Sequence, residues 1–97
     1  MAQVADGSVT VTTAGTRVPL SDTSILCSWL QVQSKQDNTG KIFVGGVTIA
    51  TGRGACLEAA GDAQLLPHLN FNGYDLSTIY VDSAVDGEGV DLLYGIE

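Results

Sequence analysis

The chain has little positive charge. Four of its 97 residues are lysine or arginine, against eleven aspartates and glutamates, and the formal net charge is −7. No lysine or arginine follows Arg53, whereas eight acidic residues do. A nucleic-acid-binding protein needs a basic face, and anionic lipid headgroups attract basic segments. We therefore expect neither nucleic acid nor a membrane surface as a partner.

Long hydrophobic runs are also missing. No stretch approaches the roughly 18 to 20 apolar residues of a transmembrane helix. The first residues, MAQVADGSV, have neither the basic nor the apolar segment of a secretory signal. These two absences predict a protein that is synthesised in a cytosol and does not cross a membrane.

Residues suited to catalysis are scarce. Histidine occurs once, at position 68, and the two cysteines, Cys27 and Cys56, lack the CxxC spacing of zinc and redox sites. We interpret both cysteines as buried thiols in a reducing compartment. A disulfide between them, or a Cys–His nucleophile that uses His68, are the less favoured alternatives. The sequence thus predicts no catalytic residues, no cofactor and no enzymatic activity.

The densest acidic stretch covers residues 82–91. Carboxylates separated by glycines are typical of calcium sites, but the EF-hand pattern fails because Ala84 and Leu93 stand where acidic ligands are required. We interpret the stretch as the acidic, solvated tip of a hairpin that discourages edge-to-edge strand pairing. It predicts no metal site.

Short alternating segments bounded by turn residues run through the chain. Twelve glycines and only two prolines favour many turns, and valine, isoleucine and threonine favour strands. The predicted strands cover residues 8–13, 17–20, 24–33, 41–44 with a continuation at 47–50, 55–58, 63–66, 78–82 and 90–96. Turn signals at 36–40 and 86–87 predict hairpins. The pattern predicts an all-β chain: one small antiparallel β-sandwich of seven or eight short strands, jelly-roll-like, over residues 1–97.

Two segments depart from this regular pattern. Residues 1–7 show no strand alternation and are expected to form a flexible N-terminal arm. Residues 67–74 are irregular and carry aromatic and amide side chains, which suits an exposed contact loop.

The longest apolar strand predicts self-association. In residues 24–33, one face would carry Ile25, Cys27 and Trp29, and the other Leu26, Leu30 and Val32. Such a strand lies at the centre of a sheet or is shared with a neighbouring subunit, with a helix as the alternative. A symmetric homo-oligomer, and specifically a trimer, is therefore expected. The candidate interface residues are Met1, Ala2, Gln3, Val4, Trp29, Leu30, Pro67, His68, Phe71 and Tyr74.

Several strand-and-turn strings occur together: VTVTTAGT at residues 9–16, the strand around Cys27, NTGKIFVG at 38–45, IYVD at 79–82 and GEGV at 87–90. In this cadence the chain resembles small β-sandwich virion proteins of tailed bacteriophages. It departs from them at residues 67–74, which form a longer link than is usual between the last strands.

The resemblance implies a structural role on the virion. A capsid decoration (cement) protein would be made in the bacterial cytoplasm, bind the major capsid protein as a homotrimer on the surface of the assembled capsid, and stabilise contacts between capsomers. The alternative is a receptor- or glycan-binding module of a phage fibre or spike. Copy number per particle separates the two, because a cement protein is present in hundreds of copies and a fibre module in tens.

Overall fold

A computed structural model describes residues 3–49, 54–67 and 73–96. These residues form ten strands and one short 3-10 helix, so the predicted all-β class is confirmed. The strands are β1 (Gln3–Val11), β2 (Val18–Pro19), β3 (Leu26–Cys27), β4 (Trp29–Ser34), β5 (Ile42–Gly45), β6 (Ala55–Leu57), β7 (Ala63–Leu66), β8 (Tyr74–Asp75), β9 (Tyr80–Ser83) and β10 (Glu88–Ile96). The 3-10 helix covers Leu76–Thr78.

The strands build two antiparallel sheets of four. Sheet A has the order β1-β10-β4-β7, and sheet B has the order β2-β9-β5-β6. β3 and β8 pair with each other as a separate two-stranded antiparallel ribbon. Alternate side chains of both sheets point inward to one hydrophobic core, which gives a sandwich. Its fully buried apolar residues are Val11, Leu30, Val32, Ile42, Leu76, Val81 and Val90.

The strand predicted over residues 24–33 is divided into two. β3 and β4 are separated at Ser28, whose N–H donates to the Gly95 carbonyl over 2.8 Å. The break shifts the alternation by one residue, so that Cys27 and Leu30 both face the core while Trp29 lies on the outer face. The interpretation of a strand with two apolar faces is therefore wrong, and the reason it supplied for a trimer is removed.

The two predicted hairpins are also wrong. β4 belongs to sheet A and β5 to sheet B, and β9 belongs to sheet B and β10 to sheet A. The connections at residues 35–41 and 84–87 therefore cross from one sheet to the other. A turn sequence specifies that the chain reverses, but it does not specify which sheet the next strand joins.

The predicted N-terminal arm is wrong for residues 3–7. These residues are the first half of β1, which pairs with β10 along its whole length from Gln3 opposite Ile96 to Val11 opposite Glu88. Pairing with a long strand outweighs the low strand propensity of Asp6 and Gly7. Residues 1 and 2 lie outside the described residues.

Two smaller differences concern sheet B. The continuation predicted at 47–50 is a turn at residues 47–48, and Ala50 lies outside the described residues. The strand predicted from residue 78 begins at Tyr80, because the preceding residues form the 3-10 helix, whose N-cap is the Asp75 side chain.

Candidate functional site

The described residues hold no cluster suited to a metal ion. No group of three or more histidine, cysteine, aspartate or glutamate residues in these ranges has the required geometry. No helix in the described part of the chain is long and apolar enough to span a membrane.

The two cysteines are free thiols in different surroundings. Cys27 is buried in the core, and desolvation raises the pKa of its thiol. Cys56 is exposed, so the prediction that both thiols are buried is wrong for Cys56. It lies on the edge strand β6, where Ala55 and Leu57 face the core and the residue between them faces outward. The alternative pair of a cysteine with His68 lies outside the described residues.

Glu88 joins the two connections that cross between the sheets. Its carboxylate accepts hydrogen bonds from the N–H of Thr39 at 2.6 Å, the hydroxyl of Thr39 at 2.8 Å and the N–H of Gly40 at 2.9 Å. Desolvation alone would raise the pKa of Glu88, but these hydrogen bonds outweigh it and hold the pKa below its ordinary value. The Glu88 carboxylate therefore holds the β4–β5 connection against the start of β10.

Two further carboxylates hold the β1–β2 connection. Asp86 accepts from the N–H of Ala14 at 2.7 Å, and Asp82 accepts from the N–H of Gly15 at 3.0 Å. Asp82 is fully buried and also accepts from the N–H of Ser83. The acidic stretch is thus not a uniformly solvated hairpin tip, because Asp82, Asp86 and Glu88 accept hydrogen bonds from backbone N–H groups of neighbouring loops.

Asn38 completes this end of the sandwich. Its side chain is buried, and its Nδ2 donates to the Ser34 hydroxyl at 2.9 Å and to the Gly89 carbonyl at 2.7 Å. The N–H of Gly89 donates back to Asn38 Oδ1 at 3.4 Å. Gly89 itself has no room for a side chain, since a Cβ there would collide with the carbonyl of Val9. Hydrogen bonds and close packing therefore hold the 35–41 connection against the start of β10.

The outer face of sheet A carries the candidate interaction surface. The strand register places Val4, Gly95 and Trp29 in one row and Asp6, Leu93, Gln31 and Leu65 in the next. One large apolar side chain from each strand faces outward here: Val4 on β1, Leu93 on β10, Trp29 on β4 and Leu65 on β7. We call these four residues the outer-face cluster.

The cluster is exposed to solvent. Val4 is 67%, Leu65 54% and Leu93 40% exposed, and Trp29 is half-buried. Trp29 lies across Gly95, where a Cβ would collide with the indole ring. The absence of a side chain at Gly95 thus makes room for the indole ring over the sheet.

The structure distributes the predicted interface residues among several places. It brings Val4 and Trp29 to the two sides of Gly95, as members of the outer-face cluster. It joins Pro67 and Tyr74, because the Tyr74 hydroxyl donates to the Pro67 carbonyl at 2.8 Å. Gln3 is exposed at the start of β1.

One of these predictions is wrong, and four cannot be placed. Leu30 is fully buried in the core, because the shift at Ser28 turns it inward, so it is not available to a partner. Met1, Ala2, His68 and Phe71 lie outside the described residues.

Sequence reasoning missed Leu65 and Leu93. Leu93 interrupts the outward polar positions of β10, which is a signal that the sequence does contain. Leu65 follows Gln64 and precedes Leu66, and only the pairing of β7 with β4 shows which of the two leucines faces outward. The outer-face cluster is a surface suited to a macromolecular partner. No family model, no curated protein and no solved structure matches the chain.

Proposed function

We propose that the protein is a non-catalytic structural protein of a bacteriophage virion, a decoration protein that binds the assembled capsid through the outer-face cluster. The observation that carries the proposal is the cluster itself. Four large apolar side chains, one from each strand of a sheet, share one solvent-facing surface. Exposed apolar patches of this kind are typical of sites that bind other proteins.

The negative charge of the chain indicates which charged groups the partner carries around its apolar contact patch. Asp6 lies opposite Leu93 in the sheet, and Asp91 lies opposite Ser8 on the same face. With a net charge of −7, the chain favours a capsid surface that offers an apolar patch with basic groups at its rim. Binding to such a surface weakens as salt concentration rises, because rim charges are screened.

The strand pairing of sheet A suits the same role. The outer-face cluster lies on four strands that are hydrogen-bonded to their neighbours, so its backbone loses little conformational entropy on binding. A preorganised sheet face of this kind can strengthen contacts between much larger subunits.

The test is binding of the purified chain to capsids of its source phage that lack it, measured by co-sedimentation. Leu65→Asp places a charge in the outer-face cluster and should weaken binding at least tenfold, which is about 1.4 kcal/mol. Val47→Asp is the matched control, because Val47 is 56% exposed, much like Leu65, but lies in the turn after β5. Binding that is absent in the unsubstituted chain, or equal in both variants, contradicts the proposal.

Copy number tests the role from a second direction. Quantitative densitometry of purified particles should find the chain in hundreds of copies, as a decoration protein requires. Tens of copies would favour the fibre or spike module instead, and a glycan array would then identify its ligand. The homotrimer expected from the sequence stays a prediction.

A further inference from the structure

One edge strand of sheet A is long and has no second strand paired with it among the described residues. In the described part of the chain, the edge strands of the two sheets are β1, β7, β2 and β6. Three of them are short: β2 has two residues and contains Pro19, β6 has three residues and β7 has four. β1 has nine residues without proline, lysine or arginine. Natural proteins blunt their exposed edges with short strands, proline and charged side chains, and of these features β1 has one acidic residue, Asp6.

The backbone groups that face this free edge can be identified from the opposite side of β10. The N–H and C=O of Gly89 bind Asn38 and Lys35, and the C=O of Gly95 binds Ser28. Gly89 and Gly95 therefore direct their backbone away from β1. Their partners in β1 are Thr10 and Val4.

In an antiparallel ladder, pairs that exchange hydrogen bonds alternate with pairs that do not. The N–H and C=O groups of Val4, Asp6, Ser8 and Thr10 therefore point to the free edge, while those of the residues between them face β10. Within the described residues, β1 pairs with β10 alone. The edge thus presents a regular row of donors and acceptors.

We propose that β1 binds β1 of a second copy of this chain, antiparallel, with the two-fold axis at Gly7. This register pairs Val4 with Thr10 of the second copy and Asp6 with Ser8 of the second copy. This register gives a hydrogen-bond partner to every N–H and C=O group that these four residues direct to the free edge in each copy. It also uses the full length of the strand. A register shifted by two residues toward the start of the strand would instead set Asp6 against Asp6, which like-charge repulsion disfavours.

The inner face also fits a second copy. Ala5 and Val9 are partly buried and pack against the edge of the core. In the proposed register each lies opposite the other across the dimer contact, and the two Gly7 residues meet at the axis without side chains. The two sheets become one sheet of eight strands, and the apolar inner row continues across the contact.

The symmetry has a consequence for the outer face. The two-fold axis of an antiparallel strand pair is perpendicular to the sheet, so the outer-face clusters of both copies point to the same side. The dimer would bind a surface bivalently. The dimer contact itself does not depend on the proposed function, because it uses the strand edge and not the outer face. Being two-fold, it is an alternative to the three-fold contact expected from the sequence.

Multi-angle light scattering of the purified chain in reducing buffer tests the contact. The dimer predicts about 20 kDa, twice the 10.0 kDa of the chain. A mass of one chain or of three chains at micromolar concentration overturns the proposal.

Two substitutions at one position test the register. Ser8→Asp sets a carboxylate against Asp6 of the second copy and should weaken the dimer at least tenfold, whereas Ser8→Lys sets a cation there and should retain or strengthen it. Equal dimer affinity in the two variants overturns the register. Asp91 also lies opposite Ser8 within the chain, so circular dichroism of dilute samples checks that both variants fold. Leu65→Asp, which lies on the outer face, should leave the dimer mass unchanged.

Amide hydrogen exchange tests the dimer contact in the unsubstituted chain, so it does not depend on whether the variants fold. In the unsubstituted chain, the N–H groups of Asp6 and Ser8 should exchange slowly at high concentration and rapidly after dilution to the monomer. The N–H of Val9, which faces β10, should be protected at both concentrations. Concentration-independent exchange at Asp6 and Ser8 contradicts the dimer.

Discussion

Replacement of Asn38 by alanine should strongly destabilise the chain. The side chain makes three hydrogen bonds, two from Nδ2 to Ser34 and Gly89 and one to Oδ1 from the Gly89 N–H. A typical hydrogen bond contributes about 0.5 to 1.5 kcal/mol net, and a buried donor left unsatisfied costs about 1 to 3 kcal/mol. The Gly89 carbonyl keeps the N–H of Lys35 as a partner, which limits the loss. We expect Asn38→Ala to lower the free energy of unfolding by about 2 to 3 kcal/mol.

Urea denaturation followed by Trp29 fluorescence measures this loss. For a domain of this size, the expected change moves the unfolding midpoint down by on the order of 1 to 2 M urea. Gln36→Ala is the matched control, because Gln36 is an exposed residue of the same connection. The control should stay within about 0.5 kcal/mol of the unsubstituted chain. If Asn38→Ala loses less than about 1 kcal/mol, the amide does not hold the crossing connection in the way its hydrogen bonds indicate.

Three further predictions concern other parts of the molecule. Hydrogen bonds lower the pKa of Glu88, and the Ser24 hydroxyl together with the hydroxyl and N–H of Ser77 lowers the pKa of Asp75. The contribution of these two carboxylates to stability should therefore be constant above their unfolded-state pKa values and be lost as pH falls through the lower folded-state values. Urea midpoints between pH 7 and 3 measure this loss, and Glu88→Gln should flatten the curve. Ellman's reagent should label Cys56 at once and Cys27 only on unfolding, and immediate labelling of both thiols in folded protein would contradict the burial of Cys27. Gly89→Ala should cost about 1 to 3 kcal/mol or more, because the new methyl group meets the β1 backbone; unchanged thermal unfolding would refute that steric argument.

In the last strand, local alternation is enough to identify the inward-facing residues. Val90, Leu92 and Tyr94 repeat with a period of two, and all three are buried in the core as this pattern predicts. The same method placed β7 at its observed bounds. Where the side chains of a segment alternate without a break and the segment stays in one sheet, the local sequence is enough to predict its structure.

The errors arose where the chain changes sheet or phase. Ser28 lies between β3 and β4 and shifts the alternation of inward and outward side chains by one residue. No residue type near Ser28 indicates this shift. The connection containing Asn38 looks like a hairpin turn, yet its side chain bonds to Gly89, a residue distant in sequence. The outer-face cluster depends on the register of four strands from distant parts of the chain, which no local pattern contains.

The pairing of β1 with β10 sets a limit on when the protein can fold. β10 lies between β1 and β4 in sheet A, so neither of those strands has that neighbour until residues 88–96 have left the ribosome. Gln3 then has to find Ile96 across almost the whole described length of the chain, and such non-local pairing is slow, on the order of milliseconds to seconds. During that interval β1 has both edges free. The chain is therefore most prone to aggregate in the interval before β10 pairs with β1, and expression at lower temperature should raise the yield of folded protein.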